Sequence, residues 1–252
     1  EISACLVGSE MCIRDRYDTT IYVADIVLND PAYLKTALAK NIYGKNITEK
    51  TSVIASDNNA LLAINGDYYG VKENGYVLKN GIIYRAKSAN NQEDLVIYKD
   101  GTFEVFKESD VDISVLLTKG AYNVFAFGPC LLLNNEIQVK LNDEVGKAKA
   151  SNPRTAIGIV NELHYVFIVS DGRTDESTGL SLYQLATFLK KFNVSLAYNL
   201  DGGGSSTMYF NGKVINNPTS SGHTIKERSV SDIVYILSLI HISEPTRQAE
   251  IS

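Results

Sequence analysis

The stretch Asn199-Leu200-Asp201-Gly202-Gly203-Gly204-Ser205-Ser206 puts a carboxylate, three glycines and two hydroxyls directly after an apolar run, residues 195–200, that reads as a buried strand. Glycine loses more conformational freedom on folding than any other residue and packs nothing, so three in succession imply backbone passing close to something else. Successive free N–H groups in such a turn form an anion-binding concavity. A carboxylate at its lip adds proton chemistry. The chemistry on offer is the capture of a phosphate-like anion beside an acid.

Three further clusters share this layout of apolar strand and polar end. Asn65-Gly66-Asp67-Tyr68-Tyr69-Gly70 follows residues 61–64, Asn152-Pro153-Arg154-Thr155 leads into a strand, and Ser170-Asp171-Gly172-Arg173 follows residues 165–169. An aspartate at a strand end is as readily a turn former, because its side chain bonds nearby backbone. Function requires that the four clusters converge. Together they would supply carboxylates for proton transfer, arginine forks and backbone N–H donors for a phosphate.

Mostly strands must carry these clusters. Alternation and β-branched content predict strands at 20–28, 61–65, 81–85, 95–98, 102–106, 123–127, 130–133, 137–141, 155–160, 164–170, 195–200, 207–210, 213–215 and 230–237. Turn signals stand at Lys99-Asp100-Gly101, Asn134-Asn135, Asn161-Glu162 and Asn211-Gly212. Helices are expected at 31–39 (Asp30 as N-cap, Pro31 first), 48–58, 111–118 and 181–192. The last is clearest: Leu182, Leu185, Ala186, Leu189 and Phe192 share a face, and Ser181 with Gln184 makes a capping box. The pattern predicts an α+β fold: a mixed, largely antiparallel sheet with three or four packed helices in one domain over residues 17–237.

Residues 1–16 and 238–252 do not continue this periodicity. They resemble translated sequencing-adapter read-through and are set aside, the alternative being genuine disordered termini. Nothing in the chain nears the roughly 20 apolar residues that span a bilayer. The net charge is -5 and basic residues form no stripe, which argues against nucleic acid. Of three cysteines, two fall in the excluded head, leaving Cys130 as a buried small hydrophobe, without a disulfide framework or cysteine metal site. Fifteen tyrosines suit sugar-binding clefts and sheet packing alike.

Asn65-Gly66-Asp67-Tyr68-Tyr69, Pro153-Arg154-Thr155-Ala156-Ile157-Gly158, Asp171-Gly172-Arg173 with Gly179-Leu180-Ser181, and Asn199 through Ser206 resemble, in order, the phosphodiester glycosidase family. Arg228-Ser229-Val230-Ser231-Asp232 resembles its closing motif. Asp67-Tyr68-Tyr69 departs from the glycine and phenylalanines of animal members and looks like the bacterial branch. The resemblance implies hydrolysis of a sugar-1-phosphodiester, with phosphodiester-linked surface polymers or glycosyl phosphates as bacterial targets. It also implies an extracellular or envelope-associated protein.

Such a reaction needs carboxylates around an oxocarbenium-like transition state and charge stabilisation at a phosphate that already leaves well. The expected carboxylate pair is Asp201 and Asp171. Asp67 could replace either, or could orient sugar hydroxyls with Asn65. Gly202, Gly203, Gly204 and Ser205 are expected to hold the phosphate through N–H groups, with Arg154 or Arg173 as charge partner. Arg228 and Glu227 stand in a second rank. No cofactor is required, although a calcium or magnesium ion on Asp67, Asp171 or Asp201 fits oxygen-ligand chemistry.

Rival chemistries fit less well. The glycine run lacks the P-loop lysine, and Ser205 and Ser206 lack the nucleophile-elbow spacing. His164 reads as structural, and His223 lies in a Ser/Gly loop. A non-catalytic envelope-polysaccharide binder on the same fold is the alternative from another class, and a structural part of an envelope or sporulation assembly is a third.

Overall fold

The computed structural model describes residues 10–15, 17–143, 151–221 and 224–238. Two antiparallel sheets face each other. The larger has seven strands in the order Glu10–Asp15, Thr19–Val27, His164–Ser170, Arg154–Asn161, Leu196–Asn199, Cys130–Leu133, Glu136–Ile137. The smaller has five, Lys213–Val214, Met208–Phe210, Ala60–Asn65, Asp232–Leu237, Leu34–Leu38. A three-stranded sheet of Ala121–Phe125, Glu93–Tyr98 and Phe103–Lys107 closes one flank. Every strand pairing among the described residues is antiparallel. The fold is α+β in one domain, as the pattern predicts.

Burial explains the strand compositions. In His164–Ser170, Tyr165, Phe167 and Val169 meet Leu62, Ile64 and Val234 between the sheets. Val166 and Ile168 turn the other way, onto Leu182, Leu185 and Leu189. A strand covered on both faces has no solvent side, so it reads as a continuous apolar run rather than an alternation. Helix α1 (Thr51–Asp57) packs Ile54 and Ala55 on the outer face of the smaller sheet. Helix α2 (Ile113–Thr118) buries Ile113 and Leu116 against the three-stranded sheet. Helix α3 (Leu182–Lys190) covers the larger sheet and starts at the expected capping box, with Ser181 and Gln184 each bonding the other's backbone N–H. The layers run α1, five-stranded sheet, seven-stranded sheet, α3.

Four local expectations change. Asp30 does cap Ala32 N–H at 2.8 Å with Pro31 behind it, but only a 3-10 turn follows. Residues 34–38 are a strand instead of a helix, because they pair with Asp232–Ile236 and Leu34 enters the core between the sheets. The helix expected at 48–58 starts at Thr51, since Glu49 and Lys50 pair with Val230 and Ser229. That pairing also detaches Ser229–Val230 from the closing strand, which begins at Asp232. The strand expected at 137–141 ends at Ile137, where Asp143 folds back to accept from Lys140 N–H. Glu10–Asp15 pairs with residues 19–24 and Ser238 N–H donates to the Asn59 carbonyl at 2.9 Å, whereas the rest of the two excluded ends, and His223, lie outside the described residues.

Antiparallel order also places the polar clusters. His164–Ser170 and Leu196–Asn199 flank Arg154–Asn161, so their C-terminal ends lie beside its start: Arg154 pairs with Ser170 and Ala156 with Asn199. In the facing sheet Asn65 pairs with Ile233. All four clusters therefore reach the same end of the sandwich.

Candidate active site

The two sheets are bolted together at that end. Asp201 N–H donates to the Gly66 carbonyl at 3.1 Å, and Asn65 Nδ2 donates to the Asp201 carbonyl at 2.6 Å. Asn65 Oδ1 accepts from Thr155 Oγ1 at 2.8 Å and from Thr207 N–H at 3.1 Å. These bonds set the start of the glycine turn, a 3-10 segment at Gly203–Ser205.

Protein approaches the glycines on three sides. A Cβ on Gly202 would lie 3.0 Å from the Pro153 carbonyl oxygen, one on Gly203 2.8 Å from Arg173 Nη2, and one on Gly204 2.7 Å from Ser220 Cα. Gly203 also has φ +61°, in the left-handed region. The amides of Gly203 and Ser205 already donate, to Pro153 O at 2.8 Å and Gly202 O at 3.3 Å. The expected cradle of four N–H donors is thereby narrowed to Gly202 and Gly204. Close chain packing takes up the other two amides.

Asp201 is the central acid. One oxygen, Oδ2, accepts from Ser205 Oγ at 2.6 Å and from Arg228 Nη2 at 3.3 Å. Its other oxygen takes no hydrogen bond among the described residues. Burial pushes the carboxyl above the ordinary aspartate value, while Ser205 and Arg228 pull it back. Asp171, 3% exposed, accepts from Asn217 N–H at 2.8 Å, from the side chains of Asn216 and Asn217 at 3.2 Å each, and from the Tyr22 hydroxyl at 3.4 Å. Burial raises it as well, against those donors. Asn216 also donates to the Ser206 carbonyl at 3.0 Å, so a single side chain links Asp171 to the glycine turn.

Two arginines flank the turn. Arg228 donates from Nε to Ser205 Oγ at 2.9 Å and keeps 43% of its side chain exposed. Arg173 donates to Asn152 Oδ1 at 3.0 and 3.2 Å and to the carbonyls of Thr219 and Ser220 at 3.4 and 3.5 Å. Among the described residues it meets no carboxylate. Burial and the Arg228 charge hold it below the usual arginine value. Two like charges beside one carboxylate leave the mouth of the turn cationic.

Other expected residues serve the frame. Asn65 is fully buried and committed to the inter-sheet bonds above, so it does not reach a sugar hydroxyl. Asp67, 1% exposed, spends its oxygens on the N–H groups of Tyr68 (2.5 Å) and Ala126 (2.7 Å), which makes it a staple between strand ends. Arg154 is 3% exposed, donates from Nε to the Leu180 carbonyl at 2.9 Å and lies against Gly202, where a Cβ would meet its Cδ at 4.0 Å. Glu227 grips Ser52 at the start of α1, through N–H at 2.9 Å and Oγ at 2.6 Å. His164 pairs with Asp25 at 2.5 Å, in a surface position.

Asn152, already part of one of the four clusters, holds Arg173, whereas sequence reasoning missed Asn216 and Asn217, which hold Asp171. Their one signal was Asn216-Asn217-Pro218, which reads as an ordinary turn. It also missed a fully buried ion pair behind Asp67, Lys79 Nζ to Asp232 Oδ2 at 2.7 Å, in which Asp232 Oδ1 accepts from Asp67 N–H at 2.7 Å. Among the described residues no three His, Cys, Asp or Glu side chains gather as a metal site. No helix among them is long and apolar enough to cross a membrane.

Comparison with known proteins bears on the fold and the family. A solved zebrafish N-acetylglucosamine-1-phosphodiester alpha-N-acetylglucosaminidase catalytic domain, auto-inhibited by its pro-peptide, superposes with a TM-score of 0.71 at 23% identity, covering 94% of this chain and 83% of that one. That likeness speaks for the fold. The SPbeta prophage-derived uncharacterized protein YomE of Bacillus subtilis (strain 168) is 32% identical over 201 residues, 77% of this chain and 30% of its own. The mouse N-acetylglucosamine-1-phosphodiester alpha-N-acetylglucosaminidase is 27% identical over 172 residues, 63% of this chain and 33% of its own. The chain thus spans about a third of the length of these relatives. The family model described as phosphodiester glycosidase matches residues 58–237, the span that carries all four polar clusters and the closing arginine motif, and on that match the chain belongs to the phosphodiester glycosidase family.

Proposed function

We propose that this chain hydrolyses a sugar-1-phosphodiester at the glycosidic bond, releasing the sugar and leaving a phosphomonoester. The observation that carries the reading is the uncompensated charge at the glycine turn: Arg173 has no carboxylate partner among the described residues and Arg228 shares one. A phosphodiester monoanion between the two guanidiniums neutralises that excess and takes their free donors. As the C–O bond breaks, charge grows on the leaving phosphate, which the arginines and the amides of Gly202 and Gly204 meet.

Asp201 faces the anomeric carbon in this scheme. Its unbonded oxygen acts as nucleophile or as base for water, and Ser205 with Arg228 fixes the carboxylate's orientation. Asp171, with both oxygens occupied, adds negative charge that favours an oxocarbenium-like sugar. We place the substrate among phosphodiester-linked glycoconjugates of the bacterial envelope, reached outside the cell. A divalent cation, if used, would join at Asp201, and chelator treatment tests that.

The test is hydrolysis of methyl-phospho-α-N-acetylglucosamine in heavy-oxygen water. Free N-acetylglucosamine carrying the heavy oxygen, with unlabelled methyl phosphate, is the expected outcome. Label in the phosphate would mean attack at phosphorus and overturn the mechanism. Binding without turnover would point to the polysaccharide-binding alternative.

A further inference from the structure

Beside the candidate site lies an aromatic face that no step above uses. Three rings stack from the interior outward: Tyr69 to Tyr43 with centroids 5.6 Å apart, and Tyr43 to Tyr84 with centroids 4.9 Å apart. Tyr69 is 1% exposed, whereas Tyr84 is 36% exposed. Tyr68, next in sequence to the Asp67 staple, is 42% exposed. The strand Ile82–Arg85 alternates, so Ile82 and Tyr84 face solvent together while Ile83 packs inward. Ordinary packing buries the first ring and gives no reason for the others to remain outside.

The rings are held rigidly. Arg85, on the strand that carries Tyr84, donates through Nη1 to the carbonyls of Tyr69 at 3.2 Å and Lys72 at 2.6 Å, and through Nε to Gly75 at 2.5 Å. Asn46, in the loop after Tyr43, donates its N–H to the Gly70 carbonyl at 3.0 Å. Three separate segments are thus tied into one surface. That surface lies close to the candidate site, because exposed Tyr68 is two residues from Gly66, whose carbonyl accepts from Asp201 N–H at 3.1 Å. Its charge is cationic: Lys45 pairs with the exposed Glu73, which leaves the nearby charges of Lys87 and Arg85 in excess.

We propose that Tyr68, Tyr43 and Tyr84 form a platform for an anionic glycan chain, extending the substrate site to sugar units beyond the one released. The inference rests on the phosphodiester-glycosidase reading for what lies next door, but it commits to its own occupant. Flat rings stack on the apolar faces of pyranose units, and fixed rings do so with little ordering cost. The surrounding Lys45 and Lys87 meet the phosphodiester links between those units. A polymer spanning both surfaces gains avidity that a single glycosyl phosphate lacks.

The experiment measures binding of poly(N-acetylglucosamine 1-phosphate) to the full chain by affinity electrophoresis, with Tyr84→Ala, Tyr84→Phe and Tyr68→Ala variants checked for unchanged Tm. The expected result is a dissociation constant about tenfold weaker for each alanine variant and near wild type for Tyr84→Phe, the size of one lost aromatic anchor. Equal binding by all four proteins overturns the platform. So does displacement by single-stranded DNA as effective as by the glycan, which would make the face a general polyanion surface. Tyrosine-dependent binding without hydrolysis sustains the platform and removes the catalytic reading instead.

Discussion

At the scale of single residues, Asp201 and Asp171 are both buried acids raised by burial, yet they differ in what is left over. Asp201 keeps an oxygen without a hydrogen bond among the described residues, whereas Asp171 spends both on asparagines, a backbone N–H and Tyr22. An acid that forms or breaks a bond needs that spare oxygen. Asp201→Asn is therefore expected to lower kcat by at least about 100-fold, the scale of a lost acid–base or nucleophilic group. Tm should hold, because an amide oxygen still accepts from Ser205 and Arg228. Release of free sugar and a thermal melt check the two halves. Loss of activity together with loss of folding would return Asp201 to a structural part.

At the scale of elements, the glycine turn and the hairpin Thr219–Ser221 with Thr224–Ile225 act as a pair. Ser220 presses on Gly204, and the carbonyls of Thr219 and Ser220 hold Arg173. A methyl at position 204 meets backbone at 2.7 Å, so the hairpin must move. Such overpacking costs about 1–3 kcal/mol. Gly204→Ala should raise KM more than it lowers kcat, because the displaced hairpin releases Arg173 and leaves Asp201 in place. Steady-state kinetics against the same diester reads this split. An unchanged KM would show that Arg173 does not bind the phosphate.

At the scale of the whole molecule, the interior carries an acid the site does not use. Asp94 is 0% exposed, and neither oxygen has a hydrogen-bond donor. Burial first, then the neighbouring Glu108 carboxylate, raises it well above the ordinary value. Below about pH 3.9, the unfolded value, both states are protonated and the native state pays nothing for this group. As pH rises, the unfolded chain ionises first, so stability falls until the raised native value is passed. Asp94→Asn removes that slope. Its Tm should exceed wild type at about pH 7 by a few degrees, as about 1 kcal/mol gives in a domain of this size, with the gap closing toward about pH 4. Melts across that range decide it, and a constant gap would mean that Asp94 is not the titrating group.

Local order was largely readable before any coordinates. The capping box at Ser181 and Gln184, the turns at Asp100-Gly101 and Asn211-Gly212, and the doubly apolar strand at 164–170 each follow from short-range chemistry. So did the polar strand ends, because a carboxylate beside glycines is visible as spelling. What sequence by itself could not do was separate Asp201 from Asp67: both are aspartates two residues after an asparagine that ends a strand. Tertiary packing makes one an acid with a spare oxygen and the other a staple for Tyr68 and Ala126. It also turned residues 34–38 from a helix into a strand by offering them Asp232–Ile236 as a partner, and brought Arg228 from the second rank to Asp201. Periodicity records which face of a segment is apolar. Which distant segment satisfies a buried oxygen or a free backbone edge is decided only when the whole chain has closed.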